Sequence, residues 1–501
     1  MKWPICALLS SLVVAGLQAQ HTCSDSMPQR VCARIRRNNY CRLFKSSQLT
    51  QQCRRTCRYC VAASAGNADD VDVPTKPPHP ADQPDTFNSP STSSATTHAS
   101  ADNNAACGES SPLSTDELHK FQLDLTDFGV HLYREAVQMN QHASVFMSPV
   151  SIALALALVN QGAAGRTREQ IDAEMTLRLA EQDRESVSTA LPAAFHWLLQ
   201  QLTSSAAYQL STANKVFVSE SIELSPEYAS ALADCFQSDA ALRNFAQNPE
   251  QVRQEVNDWV AEQTEQRIRE LIPSGAVDAS TLMILVNAIY FKSDWQYQFQ
   301  ESDTFSATFH SFDDRQQQVR LMSLGAETLR YSENSDAQIL WLPYKQRKLS
   351  MVLMLPKSTG AEALAELEEK LNVLFFGRLL NSWRLQKVRV AIPKFKAELE
   401  FDLKLALQNL GLTDMFTEAA DFSRMTAQPE GLIVSDAFHK AFIEVDEKGT
   451  EAAAATGFIA TKSSLPTNRI ISFRADRPFL FAIYHHDAKL PLFLGRYMGP
   501  P

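Results

Sequence analysis

Thr281-Leu282-Met283-Ile284-Leu285-Val286-Asn287-Ala288-Ile289-Tyr290-Phe291 is a nearly continuous apolar run. Its length and character suit a strand covered on both faces of a sheet. Downstream, Ala337–Tyr344 and Leu349–Leu355 flank the polar Lys345-Gln346-Arg347-Lys348, and Pro478–Tyr484 and Leu490–Arg496 flank His485–Lys489. Each pair predicts a hairpin. Upstream the period changes. Ser114 and Glu117 have capping-box spacing, and Leu118, Phe121, Leu125, Phe128 and Leu132 follow at steps of three and four, which predicts an amphipathic helix. Ser148-Pro149 opens a second helix, with Ser as cap and Pro in the first turn, and Gly162 closes it. A third is expected from Asn248-Pro249 through Val252, Val256, Trp259 and Ile268 to Leu271. Helices first and strands later predict an α+β domain with a large sheet and surrounding helices.

Composition removes several function classes. The chain has 501 residues, 45% hydrophobic and 21% charged, with formal charge −10, which is ordinary globular usage. No apolar run beyond the first twenty residues is long enough for a membrane span. GxGxxG, GxxxxGK[ST], HExxH and GxSxG are all absent. No cofactor, metal site or nucleic-acid partner is expected, and a monomer is.

The N-terminus begins Met1-Lys2, turns apolar through Leu8-Leu9 and Leu12-Val13-Val14, and reaches Leu17-Gln18-Ala19. A basic start, a short apolar middle and a small residue at the cut describe a secretory signal peptide over residues 1–19, so a secreted, extracellular protein is expected. Residues 21–60 carry nine basic side chains and one acid, and Lys2 adds a further cation. Against the chain's −10, everything after residue 60 therefore carries −19. Within 20–60 lie Cys23, Cys32, Cys41, Cys53, Cys57 and Cys60. So short an exported segment cannot bury much core, so disulfides are expected to staple it. A zinc site is the alternative, but no His lies inside the cluster. Cys23-Ser24-Asp25, Cys32, Cys41 and Cys53-Arg54-Arg55-Thr56-Cys57-Arg58-Tyr59-Cys60 resemble a ShK-toxin-type (ShKT) domain. That resemblance implies the pairs Cys23–Cys60, Cys32–Cys53 and Cys41–Cys57. Channel-blocking members carry a Lys-Tyr pair before the fourth Cys. Here that stretch is Ser46-Ser47-Gln48-Leu49, so a basic tether for polyanions such as glycosaminoglycans is the preferred reading. A solvated basic face without a ligand is the alternative. Residues 61–112, with 13 Ser/Thr, 7 Pro and one aromatic, predict a disordered linker. Its Cys107 has three options: free, paired with Cys235, or joined to another chain.

Over residues 113–500 an ordered set of motifs resembles the serpin family. These are Phe146-Met147-Ser148-Pro149-Val150-Ser151, Gly162-Ala163-Ala164-Gly165-Arg166-Thr167, Asn257-Asp258-Trp259 and Leu285-Val286-Asn287-Ala288-Ile289-Tyr290-Phe291-Lys292. They continue with Leu342-Pro343-Tyr344, Pro393-Lys394-Phe395, His439-Lys440, Phe442-Ile443-Glu444-Val445, Glu447-Lys448-Gly449-Thr450-Glu451-Ala452-Ala453-Ala454-Ala455-Thr456, Arg477-Pro478-Phe479 and Leu492-Phe493-Leu494-Gly495-Arg496. The resemblance implies no catalyst. It implies a suicide-substrate inhibitor of serine proteases, whose exposed loop is cut, acylates the enzyme, and inserts as a new strand into the central sheet. The hinge, Glu447 with Gly449–Thr456, is expected to lie outside the sheet before cleavage. Thr450, Ala452, Ala454 and Thr456 share one face at period two and are all small. Glu451 can face solvent, and Gly449 is expected to supply backbone freedom. Ser148, Ser151, Asn287 and His439 match a polar cluster beneath the sheet centre, where hydrogen bonds can hold two strands yet let them part. A hydrolase nucleophile among them is disfavoured because Ser148 looks like a helix cap and no acidic partner is evident. Lys292 and Trp295 belong to packing at the entrance of the sheet.

The family's usual loop count from Gly449 reaches Ser463, implying cleavage at Ser463–Ser464. A loop one residue shorter implies Lys462–Ser463, which is preferred because Lys462 is the only cation between Thr450 and Asn468 and suits a trypsin-like specificity pocket. The small-residue register suits elastase- or subtilisin-like enzymes, and Phe458 is a weaker, chymotrypsin-like option. Leu191–Leu202 is not basic, which disfavours heparin activation there. A non-inhibitory serpin acting as carrier, chaperone or storage protein is the alternative, and the small hinge residues count against it.

Overall fold

Ser114 starts the first helix in the way its spacing predicts. Its hydroxyl accepts from the Glu117 backbone N–H while the Glu117 carboxylate accepts from the Ser114 N–H. Such a cap is worth about 1 kcal/mol. Helix α1 (Thr115–Met139) then buries Phe121, Leu125, Phe128 and Leu132. The structure is a computed structural model that describes residues 113–176, 184–203, 205–312, 315–450 and 470–500. The expected signal peptide, ShKT-like domain with its three disulfides, linker, hinge residues Glu451–Thr456 and cleavage candidates Lys462, Ser463 and Ser464 lie outside the described residues.

Helix α2 (Pro149–Gly162) has the predicted bounds, with Pro149 in its first turn and Ser148 as cap. Nearly every residue in it is buried, because it lies inside the molecule against β1 (Val145–Met147), β2 (Gln209–Ser219), β4 (Met283–Asp294) and β15 (Leu490–Tyr497) and their neighbours. Helices α3 (Gly165–Met175), α4 (Arg184–Thr203) and α5 (Pro226–Phe236) follow, and β3 (Ala240–Arg243) lies between α5 and α6 (Pro249–Gln263).

Helix α6 ends at Gln263, eight residues before the expected Leu271. Glu265 and Gln266 adopt left-handed backbone, with φ of 51° and 62°, which breaks the helical ladder. The returning segment is held from a distance instead. Asn257 Oδ1 accepts from the N–H groups of Leu271 and Ile272 at 3.0 and 2.9 Å, and its Nδ2 donates to the Ile272 carbonyl. Ile268 and Leu271 are buried, but by this return and not by a helix face.

The later chain supplies β5 (Phe305–His310), β6 (Gln316–Glu333), β7 (Ala337–Pro343), β8 (Leu349–Pro356), β9 (Arg384–Pro393), β10 (Phe395–Glu400), β11 (Asp436–Val445), β12 (Gly449–Thr450), β13 (Ile471–Arg474) and β14 (Phe479–His485). Helices α7 (Ala361–Lys370), α8 (Val373–Ser382) and α9 (Leu403–Asn409) lie between them. Both predicted hairpins form: β7 pairs antiparallel with β8, and β14 with β15. The strands make two sheets. One runs β1-β15-β14-β8-β7-β6-β9-β13, with β5 on β6; the other runs β10-β11-β12-β4-β2-β3. Leu285, Ile289 and Phe291 of β4 pack into the main core with α2, while Ile284, Val286, Ala288 and Tyr290 pack with Val252, Val256 and Val260 of α6. The opening apolar run is therefore a strand covered on both faces. Among the described residues no helix is long and apolar enough to cross a membrane. Cys235 is buried and disulfide-bonded, and its partner lies outside the described residues.

Candidate functional site

Strands β4 and β11 run parallel and side by side, in register from Ile284 opposite Asp436 to Tyr290 opposite Phe442. Beyond that point they part, and β12 fills the gap. Thr450 lies opposite Ser293 of β4 and Val445 of β11, and Gly449 lies opposite Asp294. The expectation that the hinge lies outside the sheet is thus corrected for its first two residues. Thr450 is 0% exposed, and its hydroxyl pairs with the Tyr344 hydroxyl at 2.7 Å.

The reason for glycine at 449 also differs from the expected one. A Cβ there would sit 2.1 Å from the Ser293 carbonyl oxygen and 2.7 Å from the Asp294 Cα. The position needs close backbone approach, which only glycine allows. The turn before it is tied by Asp446, whose Oδ1 accepts from the N–H groups of Lys448 and Gly449 at 2.9 and 3.1 Å. Trp295 closes the entrance. Its indole N–H donates to the Asp446 carbonyl at 2.9 Å, and its ring stacks on Tyr344 with centroids 4.5 Å apart. Lys292 is half-buried and approaches Glu265 at 3.9 Å. Glu447 is an anchor: Lys394 donates to Oε2 and Thr304 to Oε1, each at 2.9 Å. Burial opposes its ionisation, but the Lys394 and Thr304 hydrogen bonds outweigh that and hold its pKa below the usual value.

Lower in the same seam, three polar residues stand in one row across three strands. Asn214 of β2 is opposite Asn287 of β4, and Asn287 is opposite His439 of β11. Asn287 Nδ2 donates to Ser151 Oγ at 2.6 Å and to Asn214 Oδ1, while Asn287 Oδ1 accepts from His439 Nδ1. Ser151 Oγ donates to Asn214 Oδ1 at 3.1 Å. Ser148 stands one step away, donating to the Leu492 carbonyl and accepting from the Ser151 N–H. The structure therefore brings Ser151, Asn287 and His439 together, makes Ser148 the helix cap beneath them, and adds Asn214, which sequence reading missed. A signal existed: Asn214 shares its strand phase with Val216 and Val218, which lie in the core, so it is a polar residue on an apolar face. Burial pushes the His439 pKa down to about 3, against a smaller opposing effect of its bond to Asn287. The imidazole is neutral, and its Nε2 has no partner among the described residues.

The geometry is thus a mixed sheet whose two central strands part at one end around a two-residue third strand, above a buried polar row. The serpin (serine protease inhibitor) family model matches residues 124–500. The chain is 35% identical to human Serpin B8 over 377 residues, covering 74% of this chain and 97% of that protein. It is 35% identical to the leukocyte elastase inhibitor of Xenopus tropicalis over 379 residues, covering 75% and 98%. Serpin48 of the insect Tenebrio molitor, described as highly specific, superposes with TM-score 0.67 at 30% identity over 76% of this chain and 99% of its own. The chain belongs to the serpin family, and with that to the protease inhibitors and not the enzymes.

Two predictions follow from this geometry. Gly449→Ala places its Cβ against Ser293, so Gly449–Thr450 should leave the sheet, breaking the Tyr344–Thr450 contact and shifting Trp295 emission; an unchanged emission spectrum and unchanged protease sensitivity at the hinge would contradict the tight fit. For His439 the unfolded pKa is near 6.5 and the folded one about 3. The unfolded chain binds the extra proton between those values. Stability from this residue is full above pH 6.5 and falls as pH drops, at about 1.4 kcal/mol per pH unit. In denaturant titrations His439→Gln should shrink the stability difference between pH 6.5 and pH 5 by about 2 kcal/mol; an equal difference in both proteins refutes the assignment.

Proposed function

We propose that this protein traps serine endopeptidases as acyl complexes, its cut loop entering the sheet between β4 and β11. The observation that carries the reading is Gly449–Thr450 seated as a two-residue strand in that seam. The chain continues from Thr450 with Ala452, Ala454 and Thr456 at period two. Seated on the buried face that Thr450 already occupies, these small uncharged side chains cost little to insert, whereas a charge there would be expensive. In this reading Ser151, Asn214, Asn287 and His439 form the row that must part as the strand descends, and Trp295, Tyr344 and Glu447 brace the entrance.

The preferred bait is Lys462–Ser463, presented to a trypsin-like enzyme, and Ser463–Ser464 is the second register. The N-terminal sequence supports an exported protein whose basic residues 20–60 hold it on polyanions.

The test is incubation of the whole protein with trypsin, elastase and chymotrypsin, read by denaturing gel and mass spectrometry. An adduct with trypsin that survives SDS, together with a released peptide beginning at Ser463, is the expected result, and Lys462→Ala should abolish that adduct. A peptide beginning at Ser464 and an adduct with elastase would move the bait by one residue. If all three enzymes cut the loop and stay active, the inhibitor reading fails.

A further inference from the structure

On the other sheet, behind the Trp295–Tyr344 brace of the seam, a cavity of about 50 Å3 opens between β6, β7, β8 and β9. A cavity of this size admits ordered water, and so a small oxyanion group. Arg330 and Arg347 line it. Among the described residues neither has a carboxylate partner. Arg330 lies over the Trp383 ring at 4.3 Å and reaches His486 Nδ1 at 3.5 Å. Arg347 donates to the Tyr297 hydroxyl at 3.0 Å. The nearby Asp487 is engaged by Lys348. Burial and then the Arg347 charge both lower the pKa of Arg330, and the two guanidinium groups line one space with no carboxylate partner among the described residues.

The remaining polar groups are also left as donors. Arginine has no acceptor, so His486 must offer a lone pair at Nδ1 and carry its proton at Nε2. Nε2 then donates to Ser350 Oγ at 2.9 Å, which leaves the Ser350 hydroxyl hydrogen free. The Tyr297 oxygen accepts from Arg347, which leaves its hydrogen free as well. Trp341 lines the same cavity, is 1% exposed, and its indole N–H has no partner among the described residues. The turn that delivers Arg347 is held in an unusual shape, with Gln346 and Arg347 both at positive φ (60° and 58°). Positive φ favours glycine or asparagine, so a side chain is kept at 347 where glycine would be easier. On the rim, Leu385 of β9 is 62% exposed.

We propose that this cavity binds the oxyanion head of a small amphipathic organic acid, with the head between Arg330 and Arg347 and the apolar body over Leu385. Two cationic and three neutral donor side chains line this one cavity, and no carboxylate lines it among the described residues. The cavity does not include the space between β4 and β11, and its occupancy does not depend on the inhibitor reading.

The test is calorimetric titration of the full-length protein with 1-naphthalenesulfonate, with neutral 1-naphthalenemethanol and inorganic sulfate as comparison ligands. One saturable site is expected for the sulfonate, with the neutral alcohol at least about tenfold weaker and Arg347→Gln or Arg330→Gln weakening the sulfonate by about tenfold or more. Arg347 is exposed, so its variant should fold, which circular dichroism checks. Leu385→Ser should weaken the sulfonate while leaving inorganic sulfate unaffected. No saturation up to about 10 mM, equal binding of the neutral alcohol, or sulfonate binding unchanged in Arg347→Gln overturns the proposal; the last would place the anion on surface cations such as those of residues 21–60. Sulfate binding as tightly as the sulfonate would overturn the amphipathic part.

Discussion

One carboxamide holds the centre of the seam. Asn287 satisfies His439 with its oxygen and Ser151 and Asn214 with its nitrogen, and it does so in the strand whose other residues are almost all apolar. In a low-dielectric layer such a row is strong while intact and costly when half made. It fixes the register of three strands, because a slip of one residue would turn the polar groups into the opposite core. In the proposed insertion a third strand restores ladder hydrogen bonds on both sides, whereas its backbone cannot replace the side-chain bonds of the row.

The upper end of the seam is arranged differently. There the newcomer is already present as Gly449–Thr450, and the contacts that hold it are local: the Asp446 turn, the Trp295 indole, the Tyr344 hydroxyl and the Lys394–Glu447 pair. The seam is thus open and braced at one end, closed and hydrogen-bonded below. A strand entering from the braced end meets apolar packing first and the polar row afterwards.

What the sequence disclosed follows from the range of the forces involved. The starts of α1 and α2 were legible because caps act within four residues. The strand nature of Thr281–Phe291 was legible because a strand buried on both faces must be apolar throughout. The end of α6 was not, since left-handed Glu265 and Gln266 break it and the segment beyond is held by Asn257, fourteen and fifteen residues back. Asn214 was overlooked because its partners lie 63 and 73 residues off, although its strand phase marked it. Three members of the cluster came from family resemblance and not from spacing. Gly449 was assigned to flexibility, while its constraint is the Ser293 carbonyl, which only a paired sheet reveals.

The central claim is that the intact sheet stores free energy which a full extra strand releases. The direct measurement is the melting temperature of loop-nicked protein beside that of the intact chain. The account predicts a large rise in Tm on nicking, as the severed segment pairs between β4 and β11. An equal or lower Tm after nicking would contradict it.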